Sequence, residues 1–476
     1  DEAHHLEEEA TKQWGLRLDR EELAGYLTSL LEDLPGRKRT GLLLQVSSYL
    51  RGKPASQRGE AQQTLERLEA AVLEARHLVE ELFRLLDPLV KKESGDNEDG
   101  YRLRLTRQVL GSTSWAALVR THEALSRSWV EIEEGLGSLY IVLGQGEDIA
   151  DEVSNRRQEG QALRRNLAAL ISEPPEGTVR WAALESQGRG DCLCSAPLHV
   201  GQLLQEQLFS NKEAVILTSA TLTTEGTFEH LKERLGLCPN SEVLLGSPFD
   251  YKSSTLLWIA QDLPDPGNYR YQANLEQALV ELLTATEGHA LVLFTAHSAL
   301  RAVLSNIRGP LERERILVLG HGVDGSRTQL LETFKRYNTP TTSRLGIKGA
   351  VLLGTSSFWE GVDVVGDALR IVVITRLPFY VPTDPVFAAR SQSFTDGFNQ
   401  YALPLSILRF RQGFGRLIRS RSDRGVMVVL DSRLHRKTYG RAFLQSLPRC
   451  TVRVGPARDL PGEASRWLLS FQTDLL

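Results

Sequence analysis

Apolar residues recur at helical spacing in the first third of the chain. Between about Gln13 and Glu173 they alternate with charged residues, and two sets of them repeat every three or four positions. The first set is Leu65, Leu68, Val72, Ala75, Val79, Leu82 and Leu86. The second set is Leu118, His122, Leu125, Trp129, Ile132, Leu136 and Leu139. Such spacing places each set along one face of a helix, so we predict two long helices that pack as an antiparallel pair, with His122 as a core or rim residue rather than a ligand.

The pattern changes after about Gly177. Short runs rich in Val, Ile and Leu alternate there with amphipathic stretches, and each run ends in a polar turn. The runs are Ala214–Thr218, Ala290–Thr295, Ile316–Leu319, Ala350–Gly354, Leu369–Thr375 and Gly425–Leu430. Almost wholly apolar runs of this length are typical of strands buried in a parallel α/β sheet. Ligands of such folds bind at the carboxyl ends of the strands, so the turns that follow these runs are the first candidates for a site.

Composition narrows the class of protein only in part. A chain of 476 residues is long enough for two or three domains. Its 56 basic and 60 acidic residues give a net charge of −4, which neither favours nor excludes a nucleic-acid partner, because a binding groove needs only local positive charge. The apolar runs are too short to span a bilayer, and no signal segment opens the chain. We therefore expect a cytoplasmic protein without a membrane partner.

The cysteines indicate neither a disulfide framework nor a metal site. They are Cys192, Cys194, Cys238 and Cys450. A Cys-Leu-Cys pair without a second cysteine or histidine pair at ligand spacing predicts ordinary reduced thiols.

Two segments have residues suited to nucleotide hydrolysis. Residues 1–5 read Asp-Glu-Ala-His-His. A nucleoside triphosphatase uses one such carboxylate to bind Mg²⁺ and the next to orient or deprotonate the attacking water, although a solvated charge cluster explains an isolated acidic pair equally well. The second segment, Thr218–Leu222, contains Ser-Ala-Thr and follows a predicted strand. Its hydroxyl groups suit a hydrogen bond to a neighbouring catalytic loop, or simply the N-cap of a helix.

Hydroxyl-rich turns follow two further predicted strands. One contains Thr295, and the other contains Thr355, Ser356 and Ser357. Hydroxyl and backbone N–H groups at such turns suit the phosphates of a nucleic-acid backbone, although helix capping accounts for them as well. Trp359 has a ring that can stack on a base, with core packing as the alternative.

The most specific segment is Gln412–Arg419, with the sequence Gln-Gly-Phe-Gly-Arg-Leu-Ile-Arg. Arg416 and Arg419 stand three positions apart, and we predict that both lie on one face of a helix. Two guanidinium groups beside glycines suit a triphosphate whose charge shifts during transfer. The alternative is a basic surface helix.

Taken in order, the strings Asp-Glu-Ala-His, Ser-Ala-Thr, Trp-Glu-Gly-Val-Asp and Gln-Gly-Phe-Gly-Arg-Leu-Ile-Arg resemble the motifs of superfamily 2 helicases. More narrowly, the chain resembles the DinG branch of the XPD-like family, with supporting strings at residues 196–198, 247–249, 377–379 and 431–434. The resemblance implies an α/β fold of RecA-like helicase domains with parallel sheets and an inserted all-helical arch domain. It assigns residues 1–12 and 177–250 to part of the first RecA-like domain, 13–176 to the arch and 251–476 to the second RecA-like domain.

The resemblance also implies roles for single residues. Asp1 corresponds to the Mg²⁺ ligand and Glu2 to the catalytic base, while His4 corresponds to the residue that couples the nucleotide site to the segment Ser219, Ala220 and Thr221. The nucleotide-binding residues that it implies are Asp1, Glu2, His4, Gly361, Asp363, Gln412, Arg416 and Arg419. The last three of these correspond to γ-phosphate sensors, and Arg419 is our candidate for the arginine finger.

The activity implied by the resemblance is that of an ATP-dependent DNA helicase. Such an enzyme uses ATP and Mg²⁺, moves along single-stranded DNA, here 5′→3′ by analogy, and unwinds forked duplexes. We expect it to be a monomer. A search of the chain for Gly-x-x-x-x-Gly-Lys-[Ser/Thr] finds no match, since the similar string at Arg51–Pro54 has Pro in place of the hydroxyl residue. The family places this phosphate loop upstream of the acidic motif, together with the four cysteines that hold a [4Fe–4S] cluster in many relatives.

Two interpretations therefore remain open. If the phosphate loop precedes these 476 residues in a longer protein, the chain alone is inactive and the longer protein is an active helicase, with a cluster as an option. We favour this interpretation, since a start at the acidic motif would leave half of a RecA-like sheet missing. The alternative is a non-catalytic nucleic-acid-binding protein with a degenerate helicase fold. An exonuclease has no support, because no further acidic triad with nuclease spacing stands out in the sequence.

Overall fold

The computed structural model describes residues 1–470 with the exception of 33–38, 53–54, 95–100, 145, 185–189, 224–225, 238–240, 340–345, 362–363 and 365. The chain forms two compact units. The sheet unit comprises residues 1–6, 201–381 and 391–476, and the helical unit comprises residues 7–200 and 382–390. Within the described ranges, no helix is both long and apolar enough to cross a membrane.

The helical unit combines long helices with a small antiparallel sheet. Its helices are α1 (Leu6–Gln13, whose first residue belongs to the sheet unit), α2 (Arg20–Leu30), α3 (Leu42–Leu50), α4 (Ala55–Ser94), α5 (Arg107–Leu110), α6 (Thr113–Leu143) and α7 (Asp148–Ile171). Its strands are β1 (Leu16–Asp19), β2 (Tyr101–Arg104), β3 (Thr178–Leu184) and β4 (Cys192–Pro197). They pair in the order β1-β4-β3-β2, and each pair is antiparallel.

Both predicted apolar seams lie on long helices and are buried. The first seam runs along α4 and the second along α6, and the two helices pack against each other. Leu68 of α4 fits beside Gly135 of α6, where an added Cβ would come within 2.6 Å of the leucine side chain. His122 is buried in this core as predicted, and burial lowers the pKa of its imidazole. Burial of apolar surface stabilises a fold by about 25 cal/mol per Å², so these seams are a main source of the unit's stability.

The prediction of an entirely helical insertion is wrong in one respect. Strands β1 and β2 lie inside the stretch expected to be helical, and each has only four residues with one buried side chain, Leu18 or Leu103. So short an alternation gives no recognisable period in the sequence, because pairing with β4 and β3 holds these strands in place. Residues 177–200, expected in the first RecA-like domain, pack in the helical unit through β3 and β4.

Among the described residues, Cys192, Cys194 and Cys450 form no disulfide bond, in line with the reduced thiols that the sequence predicts. Cys192 and Cys194 are buried on β4 with their Sγ atoms 3.5 Å apart. The hydrogen bond to Cys192, together with burial, raises the pKa of the Cys194 thiol. Cys450 is also free, and Cys238 lies outside the described residues.

A buried arginine fastens residues 382–390 to the rest of the helical unit. Arg390 donates hydrogen bonds to the Leu198 carbonyl (2.8 Å) and to Thr11 Oγ1 (2.7 Å). Its Nη1 lies 2.8 Å from Glu7 Oε1, and only 6% of the arginine side chain and 15% of the glutamate side chain are exposed. A buried, fully partnered ion pair of this kind is strongly destabilised when one partner is removed.

The sheet unit is built on a parallel sheet. Within the described residues its seven strands pair in the order β11-β5-β10-β9-β6-β8-β7, and each neighbouring pair is parallel. The strands are β5 (Thr255–Ala260), β6 (Ala290–Leu293), β7 (Ile316–Gly320), β8 (Gly349–Gly354), β9 (Ile371–Ile374), β10 (Gly425–Val429) and β11 (Thr451–Gly455).

Helices connect these strands and extend the unit. They are α8 (Gly201–Gln207), α9 (Glu229–Leu235), α10 (Tyr251–Ser254), α11 (Tyr271–Ala285), α12 (His297–Arg313), α13 (Arg327–Tyr337), α14 (Ser356–Trp359), α15 (Pro385–Gln392, mostly in the helical unit), α16 (Leu403–Phe414), α17 (Arg433–Arg436), α18 (Gly440–Ser446) and α19 (Leu460–Leu469). Short 3₁₀ turns lie at Ala3–His5, Phe209–Asn211, Gly366–Ala368 and Ala457–Asp459, and a π-helical turn lies at Phe398–Ala402.

Apolar side chains cover the large sheet on both faces. Alternate residues of β5 enter two different core clusters: Leu256 and Trp258 pack with α11, α12 and α19, whereas Leu257 and Ile259 pack with α16 and α18. Burial on both faces explains the nearly continuous apolar runs in the sequence and confirms the predicted parallel α/β fold.

The predicted strand Ala214–Thr218 is wrong. The structure has no strand there, and the Ile216 side chain is 83% exposed. A β-strand is defined by hydrogen bonds to a neighbouring strand, and within the described part of the chain no strand pairs with this run. The other predicted strands are present, with bounds that differ by a few residues.

Candidate nucleotide-binding site

The first residues of the chain fold back onto the segment that follows Leu217. The Ala3 N–H donates to the Thr218 carbonyl (3.0 Å), and the Thr218 hydroxyl donates to Asp1 Oδ1 (3.0 Å). Glu2 adopts the left-handed conformation, with φ 52°, which costs a non-glycine residue about 1–2 kcal/mol. Both acidic residues are exposed. The turn therefore presents two carboxylates to solvent beside the Ser-Ala-Thr segment.

The Ser219 hydroxyl is the centre of a hydrogen-bond network. It donates to Glu2 Oε2 (3.0 Å), and its oxygen accepts from the Thr221 N–H (3.2 Å). Nδ1 of His4 lies 2.7 Å from the same oxygen. Because the single hydroxyl proton points to the carboxylate, His4 donates through Nδ1–H. The structure thus brings His4, Glu2 and the segment that contains Ala220 together at one point.

Glu360 joins the acidic turn to the Trp-Glu-Gly-Val-Asp segment. Its Oε2 lies 2.7 Å from His5 Nε2, and its Oε1 lies 4.0 Å from His4 Nε2. Neither His5 nor Glu360 was among the predicted site residues. Both lie within the motifs that carried the resemblance, directly beside residues with predicted roles. Their position in the sequence could therefore have identified them as site residues.

Arg416 lies near the same carboxylates. Its Nε donates to the Trp359 carbonyl (3.0 Å). Burial lowers the pKa of Arg416 to about 10; the charge of Arg419 also lowers it, whereas Glu2 and Glu360 raise it. Arg416 thus interacts electrostatically with both Arg419 and Glu2, and a pair of guanidinium groups suits the phosphates of a nucleotide.

The prediction that Arg416 and Arg419 share a helical face is wrong. Helix α16 ends at Phe414; Arg416 lies in the turn that follows, and Arg419 lies in the irregular segment after that turn. The Arg416 N–H donates to the Gly413 carbonyl (3.3 Å), a contact three residues back rather than the four of an α-helix. The Arg419 N–H donates to Asp423 Oδ2 (2.8 Å), which holds the turn. Glycine weakens a helix and allows this early end, so the arginines are brought together by a turn.

Arg327, which sequence reasoning missed, supports the backbone around Gly361. It donates to the carbonyls of Ser357 (3.1 Å), Glu360 (3.0 Å) and Gly361 (2.7 Å). Gly361 has φ 63°, and an added Cβ would lie 2.6 Å from Arg327 Nη2. No motif marks Arg327, because its role depends on the turn between β7 and α13. Asp363, a predicted nucleotide-binding residue, lies outside the described residues.

The last turn of α16 contributes Arg411 and Gln412. Arg411, also missed, donates to the carbonyls of Thr223 (2.6 Å) and Ala220 (3.5 Å), and burial lowers the pKa of its guanidinium. Gln412 is buried, with 7% of its surface exposed. The helix that leads into the arginine motif is therefore in direct contact with the residues that follow Ser219.

The predicted DNA-binding turns lie at the carboxyl ends of β6 and β8, which are neighbours in the sheet. Thr295 is partly exposed, and Ser356 and Ser357 are exposed. These three residues therefore share one edge of the sheet and are accessible to a ligand.

Two residues of the predicted DNA-binding set are turned inward. The Thr355 hydroxyl is buried between Nε2 of His297 (3.0 Å) and Nδ1 of His321 (2.8 Å). Trp359 is 1% exposed, and its indole N–H donates to the Phe294 carbonyl (3.0 Å). A ring enclosed in this way has no free face for a base, so core packing, the alternative given by the sequence, accounts for Trp359.

Comparison with known proteins relates this chain to helicases. A family model for the helicase C-terminal domain matches residues 279–450. The "ATP-dependent DNA helicase YoaA" of Escherichia coli is 36% identical over 360 residues, which are 74% of this chain and 52% of that protein. The "3'-5' exonuclease DinG" of Bacillus subtilis is 31% identical over an alignment of 477 positions, which covers 95% of this chain and 49% of that protein. These similarities confirm the resemblance of the chain to the DinG/XPD-like helicases.

Other comparisons bear on the extent of this family likeness. The "ATP-dependent helicase DinG" of Mycobacterium tuberculosis (strain H37Rv) is 38% identical over 53% of this chain and 37% of that protein. A solved structure described as "XPD_APO" is 14% identical, with a TM-score of 0.54, and is matched over 96% of this chain and 76% of its own. That likeness supports the XPD-like fold alone. The chain spans about half the length of the curated DinG and YoaA relatives it matches, 49% and 52%.

Proposed function

We propose that this DinG/XPD-like chain carries the ATPase machinery of a DNA helicase. The enzyme would couple ATP hydrolysis to 5′→3′ movement along single-stranded DNA and to unwinding of forked duplexes. The observation that carries the proposal is the hydrogen-bond network of Glu2, His4 and Ser219, with Arg416 close to Glu2. The names of the E. coli and M. tuberculosis relatives, both ATP-dependent helicases, support it.

The acidic turn fits a magnesium ion. Asp1 and Glu2 offer carboxylate oxygens, the ligand type that Mg²⁺ prefers. The Thr218 hydroxyl holds Oδ1 of Asp1, and the Ser219 hydroxyl holds Oε2 of Glu2, so both carboxylates are oriented before any ligand arrives. We assign the metal to Asp1. When bound, Mg²⁺ neutralises phosphate charge and helps to orient the triphosphate.

We assign the general base to Glu2. Since Oε2 accepts the Ser219 proton, Oε1 is the atom left to take a proton from the attacking water. Arg416 and Arg419 supply the positive charge that stabilises the phosphoryl group during transfer, with Arg419 as the arginine finger. At the neighbouring turn, Gly361 has no side chain, so its backbone can approach a nucleotide closely. An added Cβ at this position would also contact Arg327.

The Ser-Ala-Thr segment is assigned to coupling. Ser219 contacts Glu2 and His4, and the carbonyl of Ala220 accepts from Arg411 on α16. Direct contacts therefore lead from the proposed base to the helix that precedes the arginine motif. The exposed turns with Thr295, Ser356 and Ser357 are the proposed contacts to DNA phosphates.

A [4Fe–4S] cluster does not fit the described cysteines. Such a cluster requires four thiolates around one site. Cys192 and Cys194 are buried side by side in the helical unit, and Cys450 belongs to the sheet unit. No step is therefore derived through a cluster. We also propose that the protein is monomeric and cytoplasmic. The proposed domain boundaries are those predicted from the sequence, except that residues 177–200 belong to the arch.

The substitution Glu2→Gln tests the assignment of the base. In a form of the protein that includes a phosphate-binding loop, it should preserve ATP and Mg²⁺ binding but lower turnover by about 10²-fold or more, because only the base is lost. Glu8→Gln, at an exposed position of α1, is the matched control and should behave like the unchanged protein. Equal losses of binding and turnover would make Glu2 a structural residue.

The same assay separates the competing function. The 476 residues contain no Gly-x-x-x-x-Gly-Lys-[Ser/Thr] string, the observation that favours a non-catalytic nucleic-acid-binding protein. Tight binding of single-stranded DNA without any ATP turnover in the longest natural form would support that alternative and contradict the helicase proposal.

A further inference from the structure

Two imidazoles and a carboxylate converge beside the proposed nucleotide site. His4, His5 and Glu360 each offer one ligand atom, and these atoms lie within 4.8 Å of one another. His5 Nε2 is 2.7 Å from Glu360 Oε2, and His4 Nε2 is 4.0 Å from Glu360 Oε1. The two histidine rings are themselves 4.0 Å apart between centroids. All three residues belong to the sheet unit.

We propose that His4, His5 and Glu360 form a binding site for a divalent transition-metal ion of the Zn²⁺ class. Imidazole nitrogen suits Zn²⁺, Cu²⁺ and Ni²⁺, whereas Mg²⁺ prefers oxygen ligands. Two histidines and one carboxylate are a known ligand set for four-coordinate zinc with water in the fourth position. The site is therefore chemically different from the Mg²⁺ position assigned to Asp1.

The hydrogen bonds around His4 orient it as a ligand. Its Nδ1–H donates to Ser219, and Ser219 in turn donates to Glu2. This leaves the Nε2 atom, which carries the lone pair in the neutral ring, on the side of Glu360. Metal-binding histidines commonly have such a partner on the second nitrogen, because it fixes both the tautomer and the ring direction.

The cluster should also attract cations electrostatically. Imidazole nitrogen and carboxylate oxygen both donate electron pairs to a metal ion, so a cation held between His4, His5 and Glu360 would be attracted by all three side chains. A proton is the competing cation, which would leave a His–Glu ion pair in place of a metal site. Since the ligands bind metal only when deprotonated, metal affinity should fall as the pH falls.

The bound ion would link two parts of the proposed nucleotide site. His4 and His5 follow the acidic pair, and Glu360 precedes Gly361. Occupation of the site would neutralise Glu360, one of the two carboxylates that offset the charge around Arg416. The ion would therefore restrain the acidic turn and change the charge balance at the arginine motif.

The test is a titration of the metal-free 476-residue chain with Co²⁺, in buffer that contains excess Mg²⁺. Co²⁺ in a four-coordinate site gives intense visible absorption, and displacement by Zn²⁺ then gives the zinc affinity. We expect one such site, with an affinity lowered at least about tenfold in His5→Ala and in Glu360→Gln. Ser219→Ala, which removes the shortest hydrogen bond of His4 Nδ1, should lower it by about tenfold as well.

The matched control is His297→Ala. His297 and His321 are another pair of neighbouring histidines, with ring centroids 5.0 Å apart, so a non-specific histidine effect would appear there. Unchanged Co²⁺ absorption in both His5→Ala and Glu360→Gln would overturn the proposal, as would loss of the signal in His297→Ala. Glu360→Gln nearly preserves side-chain volume, so it remains informative if His5→Ala proves unstable; thermal unfolding of the metal-free variants checks this.

Discussion

Removal of the Ser219 hydroxyl is the sharpest test of the network at the acidic turn. In Ser219→Ala, two donors lose their acceptor, the Thr221 N–H and His4 Nδ1–H. Thr221 is buried, with 4% of its surface exposed, and a buried donor left without an acceptor costs about 1–3 kcal/mol. His4 loses less, because Glu2 Oε2 lies 3.3 Å from the same nitrogen. We therefore expect the free energy of unfolding of the sheet unit to fall by about 2 kcal/mol.

Urea unfolding of the 476-residue chain measures this change directly. Ser357→Ala is the matched control, because Ser357 is exposed and surface substitutions usually change stability by less than about 0.5 kcal/mol. Ser219→Thr keeps a hydroxyl and should recover most of the loss. If Ser219→Ala and Ser357→Ala unfold at the same urea concentration, the network does not stabilise the turn and the reasoning is refuted.

Three further predictions concern other parts of the chain. Gly361→Ala should destabilise the sheet unit by about 1–2 kcal/mol because the backbone there is left-handed, and displacement of Arg327 should add a further loss. Gly462→Ala, in open space on α19, should not destabilise the unit, and chemical denaturation compares the two variants. Arg390→Met should lower the free energy of unfolding of the helical unit by about 3 kcal/mol or more, because it breaks the buried pair with Glu7. Breaking the exposed Arg102–Asp384 pair should lower it by less than about 1 kcal/mol, so equal thermal unfolding of the two variants would contradict a stabilising role of the buried pair. Affinity for single-stranded DNA should fall steeply with salt through counterion release, despite the net charge of −4, and a flat salt dependence in fluorescence anisotropy would argue against phosphate contacts.

Periodic apolar patterns predicted the fold wherever burial alone determines structure. The seams on α4 and α6 and the strands of the large sheet are of this kind, since their side chains are buried along whole faces. Strands β1 and β2 could not be found in this way, because each buries a single side chain and depends on pairing with distant segments. The prediction of a strand at Ala214–Thr218 was wrong for the opposite reason. It has the composition of a strand, but strand structure requires a paired neighbour.

The site could be predicted only where residue type and chemistry coincide. The acidic pair, His4 and Ser219 were found by their motifs, and the structure brings them within hydrogen-bond distance. Arg327 and Arg411 were missed because they act through backbone carbonyls, which any sequence provides. The helical face assumed for the arginine motif was wrong because three-residue spacing has no directional meaning after a helix has ended.

The role of Arg419 tests the central claim most directly. In a form of the protein with a phosphate-binding loop, DNA-stimulated ATP hydrolysis by Arg419→Ala should fall by about 10³-fold or more, the scale of an arginine finger. Arg419→Lys should recover little of it, because a lysine lacks the planar fork that contacts two phosphate oxygens, while ATP and DNA affinity should change much less. Near-normal hydrolysis in a folded Arg419→Ala variant would contradict the account and make Arg416 the better candidate.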